Sequence, residues 1–230
     1  ATKPDYDRVL LQRNALLQSA SVARRAEAGE VERTLAIWDE QLAEHGSELI
    51  AARVSLIEEL LPHFAEAYAH IATDTEGQNS LVSLRYQSTL APDSSAMVTR
   101  DEWAQRLLTA IAERRREELA RGMTLVGPQR DDLVIGLGDV PAKGYASHGE
   151  SWSMALALRL AGLAVLRDDG DEPVLILDDV FAELDASRRA HLAERISDSA
   201  QVLITAAVDG DVPESLSGNR LRVTRGRVDD

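Results

Sequence analysis

Two adjacent carboxylates, Asp178 and Asp179, directly follow a run of four apolar residues at 174–177. A short apolar run of this kind is typical of a strand buried on both faces, and in α/β proteins ligands bind at the carboxyl ends of such strands. Asp178 is therefore a candidate Mg²⁺ ligand, because hard cations prefer oxygen donors, and Asp179 could polarise an attacking water. The alternative is an ordinary acidic loop like the one at 167–173.

A second candidate site is the loop that precedes an Ala/Leu-rich segment and consists of Ser147, His148, Gly149 and Glu150. The N-terminal end of a helix presents unpaired N–H groups and a partial positive charge, which together favour anion binding. Gly149 would leave room for a phosphate to approach the backbone. Taken by itself, the pattern fits an ordinary serine N-cap better than a ligand site.

The elements that must position these residues alternate between strand and helix patterns. Strands are predicted at 81–87, 123–127, 132–138, 174–177 and 201–207, with an edge hairpin at 219–228. Helices are predicted from a cap at Thr99 or Asp101 to Gly122, at 151–167 and at 187–197. This alternation favours an α/β layer with a largely parallel sheet.

The first part of the chain, from residue 5 to about residue 72, has a helical pattern. Residues spaced alternately three and four apart form an apolar seam: Leu35, Trp38, Leu42, His45, Leu49, Ala52 and Leu56. Such a seam predicts a long packed helix, with 9–17 as its antiparallel partner and His45 as a core residue. Pro62 is expected to end that helix or to begin the next one.

Composition limits the possible functions. The chain has 230 residues, no cysteine and a formal net charge of −14, which argues against a general nucleic-acid binder and fits a reducing cytoplasm. No stretch approaches the roughly 18 apolar residues of a membrane span. Arginines cluster locally, and we expect these clusters to be solvated faces: Arg24 and Arg25, Arg114 to Arg116, and Arg220, Arg222, Arg225 and Arg227.

In combination these motifs resemble RecF, a family of bacterial recombination mediators with an ABC-type ATPase head. The segments LVGPQRDDL, ASHGESWSMALALRLA and VLILDDVFAELDASRR are similar to that family's late motifs in order and spacing, and YDRVLLQRNALL is similar to the opening of its helical arm. The resemblance implies an α/β fold: the C-terminal lobe of an ABC-type P-loop ATPase head, at 76–230, with an antiparallel helical arm domain at 1–75.

The resemblance also implies roles for single residues. Asp178 would be the Mg²⁺ residue of the Walker B motif, and Asp179 the carboxylate that activates water. Residues 147–150 would form the signature loop, which contacts the γ-phosphate of ATP bound on the opposite subunit. Glu183, Leu184 and Asp185 would form the D-loop at the dimer interface, with Asp185 assigned to cofactor binding.

At the level of the whole protein, the resemblance implies an ATP-dependent homodimer that acts as a clamp on DNA. It would use ATP and Mg²⁺, bind single-stranded and gapped DNA near single-strand/double-strand junctions, and load recombinase together with RecO and RecR type proteins. Weak, DNA-stimulated ATPase activity and a cytoplasmic place in the SOS response to DNA damage are further expectations.

The sequence departs from the family in two places. No G-x-x-x-x-G-K-[ST] phosphate loop occurs, and the only lysines are Lys3 and Lys143. RecF carries that loop in an N-terminal lobe, so we expect a fragment of a longer protein that binds ATP poorly or not at all on its own. Gln129 stands where a family histidine is expected.

Two other functions remain open at this point. The chain could be a non-enzymatic helical interaction scaffold, in which the two acids merely end a core strand. It could also be the head fragment of another ATPase of the SMC or ABC transporter type. The short helical arm argues against an SMC head, and the second acid, Asp179, is Asp where transporters usually carry Glu.

Overall fold

The computed structural model describes residues 2–22, 28–72, 81–90, 98–197, 199, 201–224 and 227–229. The helices are α1 (Thr2–Val22), α2 (Ala28–Ile71), α3 (Arg100–Arg121), α4 (His148–Asp168) and α5 (Ala186–Ile196). The strands are β1 (Val82–Gln87), β2 (Asp132–Leu137), β3 (Val140–Pro141), β4 (Leu175–Asp178), β5 (Val202–Thr205), β6 (Arg222–Thr224) and β7 (Arg227–Asp229). Among these residues, no helix combines the length and apolar character that a membrane span needs.

The predicted α/β class is confirmed, but the prediction of one largely parallel sheet is wrong for the described strands. They form three small sheets, of which β4–β5 is parallel and β2–β3 and β6–β7 are antiparallel. Only two residues separate β2 from β3 and β6 from β7. Connections this short can join antiparallel strands only, because a parallel pair needs a long crossover.

The chain divides into two compact units that interleave along the sequence. Unit 1 contains residues 1–59 and 83–143, and unit 2 contains 60–82 and 144–230. The expected domains, 1–75 and 76–230, are consecutive instead, and their boundary lies outside the described residues. Compactness does not decide where a functional lobe ends, so the expected division stays a prediction.

In unit 1, α1 and α2 run antiparallel, as the sequence predicts. The hydroxyl of Thr2 donates to Glu48 at 2.8 Å. Arg13, about 16 Å further along an ideal helix, pairs with Asp39, which precedes Glu48 in the sequence. Helix α3 supplies the third wall of a core built from Tyr6, Val9, Leu42, Ala43, Leu107, Ile111 and Val126. Its predicted limits are confirmed: Thr99 forms a capping box and Gly122 ends the helix in the left-handed region.

The apolar seam of α2 is confirmed only in its first half. Leu35 and Leu42 are buried, but His45 is half-buried rather than a core residue, and Ala52 and Leu56 are exposed. The buried side instead continues through Asp39, Ala43, Gly46, Ser47 and Ile50. An α-helix has 3.6 residues per turn, so a stripe with a period of 3.5 drifts around it by about 20° per heptad.

Pro62 neither ends α2 nor begins a new helix, contrary to the sequence prediction. It lies inside the helix, which continues to Ile71. Proline has no N–H to donate to the carbonyl of Glu58 four residues earlier. Glu58 is exposed, so water can hydrate that carbonyl and the helix can continue.

The predicted strand at 123–127 is also wrong, because side chains hold this segment in place of a ladder. Arg13 is fully buried and donates to Asp39 at 2.8 Å, to the Thr124 hydroxyl at 2.6 Å and to Glu118 at 2.6 Å. The other oxygen of Glu118 accepts from the Leu125 N–H at 2.8 Å. We call Arg13, Asp39, Glu118 and Thr124 the buried ion network.

The arginine clusters are only partly solvated faces. Arg114 and Arg116 are exposed as predicted, but Arg115 is half-buried and pairs with Asp39. Arg220 and Arg222 are exposed, and Arg222 pairs with Asp209 at 2.6 Å. Arg24, Arg25 and Arg225 lie outside the described residues, and Arg227 is exposed.

Candidate functional site

Asp178 is the last residue of β4 and lies at the C-terminal ends of the parallel pair β4–β5, which we call the rim. In the strand register it stands opposite Thr205, the last residue of β5. The side chain of Asp178 is exposed and accepts a hydrogen bond from the Thr205 hydroxyl. The structure therefore places the candidate Mg²⁺ residue at the solvent-facing end of the strand, where ligands of α/β sheets bind.

Asp179 ends the strand with a left-handed backbone conformation. Its φ is 54° and its ψ is 21°, and it is the one non-glycine residue with positive φ among the described residues. Its N–H points to Thr205, with the carbonyl and the hydroxyl oxygen both at 3.1 Å. Such conformations cost free energy and cluster at functional sites, although Asp tolerates them better than most residues.

The strand β4 is buried on one face only, which corrects the expectation of burial on both. Leu177 is 4% exposed, but its neighbour Ile176 is 66% exposed. Ile176 stands opposite Leu203, which is 48% exposed. Because alternate residues of a strand share a face, Val174, Ile176 and Leu203 form a continuous open apolar face, and Asp178 lies at its end.

The loop 147–150 begins α4 three residues earlier than predicted. Ser147 is the N-cap: its hydroxyl accepts from the Glu150 N–H at 3.2 Å, and its own N–H donates to the Glu150 carboxylate at 2.8 Å. These bonds from Ser147 hold the pKa of Glu150 below its ordinary value. Ser147 and His148 are exposed, so this end of the helix is open to an anion from solvent.

The D-loop candidate, 183–185, is fixed by the helix that follows it. Leu184 is buried, whereas Glu183 and Asp185 are exposed. Asp185 caps α5 by accepting from the Arg188 N–H at 2.9 Å. Arg189 donates to the Leu184 carbonyl at 2.8 Å, so the loop is held at both of its last residues.

Two residues that sequence reasoning missed, Thr205 and Arg188, each contact two of the candidate site residues. Thr205 bonds to the Asp178 carboxylate and to the Asp179 N–H. Arg188 pairs with the Asp185 carboxylate and lies against the backbone of Gly149. Both carried a signal: Thr205 is the polar residue that ends an apolar strand, and Arg188 stands one helical turn after Asp185. Within the described part of the chain, no hydrogen bond or ion pair joins loop 147–150 to Asp178 or Asp179.

The rim fits Mg²⁺ only as part of a larger ligand set. The described residues contain no cluster of three or more His, Asp or Glu side chains arranged to hold a metal ion. Asp178 and the Thr205 hydroxyl supply two oxygen donors. Mg²⁺ commonly uses one or two carboxylates and takes its remaining ligands from water and nucleotide phosphates, so these donors suit a metal–nucleotide complex.

The fold is of the α/β class, with an exposed carboxylate at the end of a parallel strand pair and an exposed helix N-terminus at 147–150. No protein-family model matches the chain. It is 51% identical over 238 residues to the DNA replication and repair protein RecF of Cutibacterium acnes, covering 99% of this chain and 59% of that protein. The RecF of Streptomyces avermitilis is also 51% identical, over 228 residues and 59% of its length.

A solved structure supports the same fold. The recombination mediator protein RecF with ATP, from the RecFOR pathway, is 24% identical with a TM-score of 0.80, covering 99% of this chain and 57% of that one. The chain is therefore a RecF homologue over its whole length, and it spans about three fifths of the curated relatives it matches. The resemblance seen in the sequence is confirmed.

Proposed function

We propose that this chain is the arm and C-terminal lobe of a RecF-type DNA replication and repair ATPase, which forms an ATP-dependent homodimer on DNA. The observation that carries the proposal is the rim, where two exposed acids end a parallel strand and Thr205 bonds to the Asp178 carboxylate and to the Asp179 N–H. The exposed N-terminal end of α4 supplies the second half of a nucleotide sandwich.

In this proposal the residues divide the work by their position. Asp178 and Thr205 would hold the metal of Mg²⁺–ATP, and that metal would supply charge neutralisation at the phosphates. Asp179 orients and deprotonates the attacking water. Ser147, His148 and Gly149 offer N–H and hydroxyl groups to the γ-phosphate on a second subunit, while Glu150 keeps the loop capped and Asp185 contributes from the D-loop.

The proposed partners follow from the relatives. A neighbour described as a recombination mediator of the RecFOR pathway supports RecO and RecR type partners, and binding to single-stranded DNA and to junctions of gapped DNA is part of the same proposal. Weak, DNA-stimulated ATP hydrolysis and a cytoplasmic role in the SOS response belong to the same proposal. The chain spans about three fifths of its relatives and contains no phosphate loop, so we expect it to bind ATP poorly by itself.

The proposal is tested in a chimaera in which this chain replaces the homologous part of the Cutibacterium acnes relative. We expect the chimaera to dimerise with Mg²⁺–ATP in analytical ultracentrifugation. Asp178→Asn should raise the ATP concentration needed for half-maximal dimerisation by at least about tenfold, since even outer groups of a metal site cost 10–100-fold in affinity.

The matched control is Asp171→Asn, which removes an exposed acid from the nearby loop before β4. It should leave dimerisation unchanged, and both variants should keep the circular dichroism spectrum of the parent. A chimaera that dimerises without ATP, or that tolerates Asp178→Asn as well as Asp171→Asn, would favour the helical interaction scaffold instead.

A further inference from the structure

Arg188 occupies a position between the D-loop and the signature loop, 147–150. It lies in the first turn of α5, and its side chain is 23% exposed. Its Nη1 atom is 3.4 Å from the Asp185 carboxylate, so one end of the guanidinium pairs with the D-loop.

The same end of the guanidinium also lies against Gly149. A Cβ atom built on Gly149 would stand 3.0 Å from Nη1 and 3.6 Å from Nη2 of Arg188. The distance of 3.0 Å is at the lower limit of real contacts, so a side chain at 149 would require the guanidinium to shift by a few tenths of an ångström. Gly149 therefore makes room for Arg188 inside this chain, whether or not a phosphate also approaches there.

The electrostatic surroundings agree with this geometry. The charge of Arg188 adds to the bonds from Ser147 in holding the pKa of Glu150 below its ordinary value. Burial raises the pKa of Tyr68, as does the nearby Glu150 charge, while Arg188 opposes the rise. The charge of Arg188, on α5, thus favours the ionised form of Glu150 in the first turn of α4.

The guanidinium is held by few contacts. Its Nε is buried and has no hydrogen-bond partner among the described residues, and the same holds for the Tyr68 hydroxyl and the Ser153 hydroxyl. Among the described residues, the guanidinium thus has its Asp185 ion pair and the bare backbone of Gly149 as the contacts that set its position.

We propose that Arg188 is a positioning residue that couples the D-loop to the signature loop, so that a displacement of either loop is transmitted to the other. The names of the two loops rest on the proposed function, but the coupling is a property of this chain alone. In a nucleotide-bound dimer this coupling would transmit γ-phosphate binding at 147–150 to the dimer interface near Asp185.

The coupling is measured by hydrogen exchange, resolved by residue with NMR, in the 230-residue chain without nucleotide. The reporters are the amides of Glu150 and Ser151, which are bonded to the hydroxyl and the carbonyl of Ser147. Asp185→Asn keeps an N-cap oxygen for α5 but removes the charge that pairs with Arg188. It should speed exchange at both reporters by at least about threefold, the lower end of couplings between contacting residues.

Arg188→Gln should give the same increase, and the double variant Asp185→Asn/Arg188→Gln should give no more than either single one. Arg188→Lys keeps the charge but not the planar group, so the exchange should stay raised. The matched control is Arg195→Gln, on the same helix as Arg188. It breaks an ion pair between Arg195 and Glu66 of α2 at 3.1 Å. It should leave the two reporters unchanged.

Linkage requires the reverse effect as well. Gly149→Ala should speed exchange at the amides of Arg188 and Arg189, both of which are bonded to Asp185. In the Arg188→Gln background the added methyl meets no guanidinium, so the same substitution should have no such effect.

Unchanged reporters in the folded Asp185→Asn variant, or an equal change in Arg195→Gln, would overturn the proposal. Nucleotide is absent from this experiment. A chimaera that fails to dimerise would therefore disprove the proposed function and leave the coupling intact. Unchanged exchange in a chain whose chimaera dimerises would disprove the coupling and leave the proposed function intact.

Discussion

The two units use their polar groups in opposite ways. In unit 1 the buried ion network is closed: Arg13 is fully buried and has three partners, each within 2.8 Å. Asp131 likewise accepts four hydrogen bonds, from Tyr86, Ser88 and the N–H and hydroxyl of Thr89. These charges hold helices and loops in place and leave nothing for a ligand.

In unit 2 the corresponding groups are open. Asp178 and Asp179 are exposed at the rim, next to an apolar face that no described element covers. Satisfied polar groups stabilise a fold, whereas exposed and available ones can bind a ligand, so this difference is consistent with the candidate site lying in unit 2.

The largest expected effect comes from opening the closed network. Arg13→Met fills a similar volume but leaves Glu118 buried without its cation, whereas Asp39 keeps its ion pair with Arg115. We expect the free energy of unfolding of unit 1 to fall by about 3–5 kcal/mol, because breaking a buried pair strands a charge in the interior. Urea unfolding of the chain measures the loss.

The control for this prediction is Arg114→Gln, on a surface pair with Glu117 at 2.9 Å and 59% exposed on the arginine side. Exposed ion pairs contribute little to stability, so the free energy of unfolding should fall by no more than about 1 kcal/mol. Similar losses in the two variants would show that the network is no more important than a surface contact.

The second largest effect concerns the open apolar face of unit 2. At micromolar concentrations we expect the chain to self-associate through β4 and β5, because exposed strands and apolar patches of this kind pair with one another. Ile176→Lys should weaken that association by about tenfold or more, since burying one isoleucine contributes about 1.5–3 kcal/mol. Sedimentation at several concentrations measures it.

Leu11→Lys is the matched control, because Leu11 is 68% exposed on α1 in unit 1, close to the 66% of Ile176. It should leave self-association unchanged. Adding the rest of a relative as a separate polypeptide should also suppress it. A chain that stays monomeric at high concentration, or that responds equally to both substitutions, would show that the open face is inert.

Sequence reasoning predicted unit 2 better than unit 1. The carboxylate pair, the serine cap and the strand–helix order are local signals, since each depends on a few adjacent residues. Their placement at exposed ends of β4 and α4 therefore followed from the sequence. The open face of β4 did not, because an apolar strand reads the same whether or not its second face is covered within the same chain.

In unit 1 the decisive contacts join residues far apart in the sequence. Arg13 and Glu118 are separated by 105 positions, and Arg13 stands between apolar and polar residues of a stretch that predicts only a helix. No local pattern marks it as buried, so the network and the irregular segment 123–127 were missed. The motif around Gln129 shows the same limit: it helped to identify the family, but its contacts are internal, with Gln129 donating to the Val126 carbonyl at 2.9 Å.

A smaller effect is expected at the strained end of β4. Asp179→Gly should raise the free energy of unfolding by up to about 1 kcal/mol, because glycine adopts a φ of 54° without the steric cost that other residues incur. In the chimaera the same substitution should abolish ATP hydrolysis, since it removes the carboxylate that we propose activates water. Thermal unfolding and phosphate release measure the two results.

Asp169→Gly provides the opposite sign as a control. Asp169 is exposed and has an ordinary φ of −75°, so glycine there should lower stability by about 0.5–1 kcal/mol through the unfolded chain. If both substitutions destabilise equally, the backbone at Asp179 stores no strain.

The smallest effect compares the same cap in the two units. Glu102 in α3 and Glu150 in α4 both close capping boxes, and bonds from Thr99 and Ser147 hold the pKa of each below 4.5. A carboxyl with a lowered pKa in the folded state stabilises above its unfolded pKa, and this contribution is lost as the pH falls through the folded value. Both caps should therefore weaken only below about pH 4.5.

The two caps differ in their nearby cation. Of the two glutamates, only Glu150 has its pKa lowered by Arg188, so Arg188→Gln should raise the pKa of Glu150 and leave that of Glu102 unchanged in an NMR titration. Equal pKa shifts at Glu102 and Glu150 would mean that Arg188 has no specific electrostatic effect on the loop 147–150.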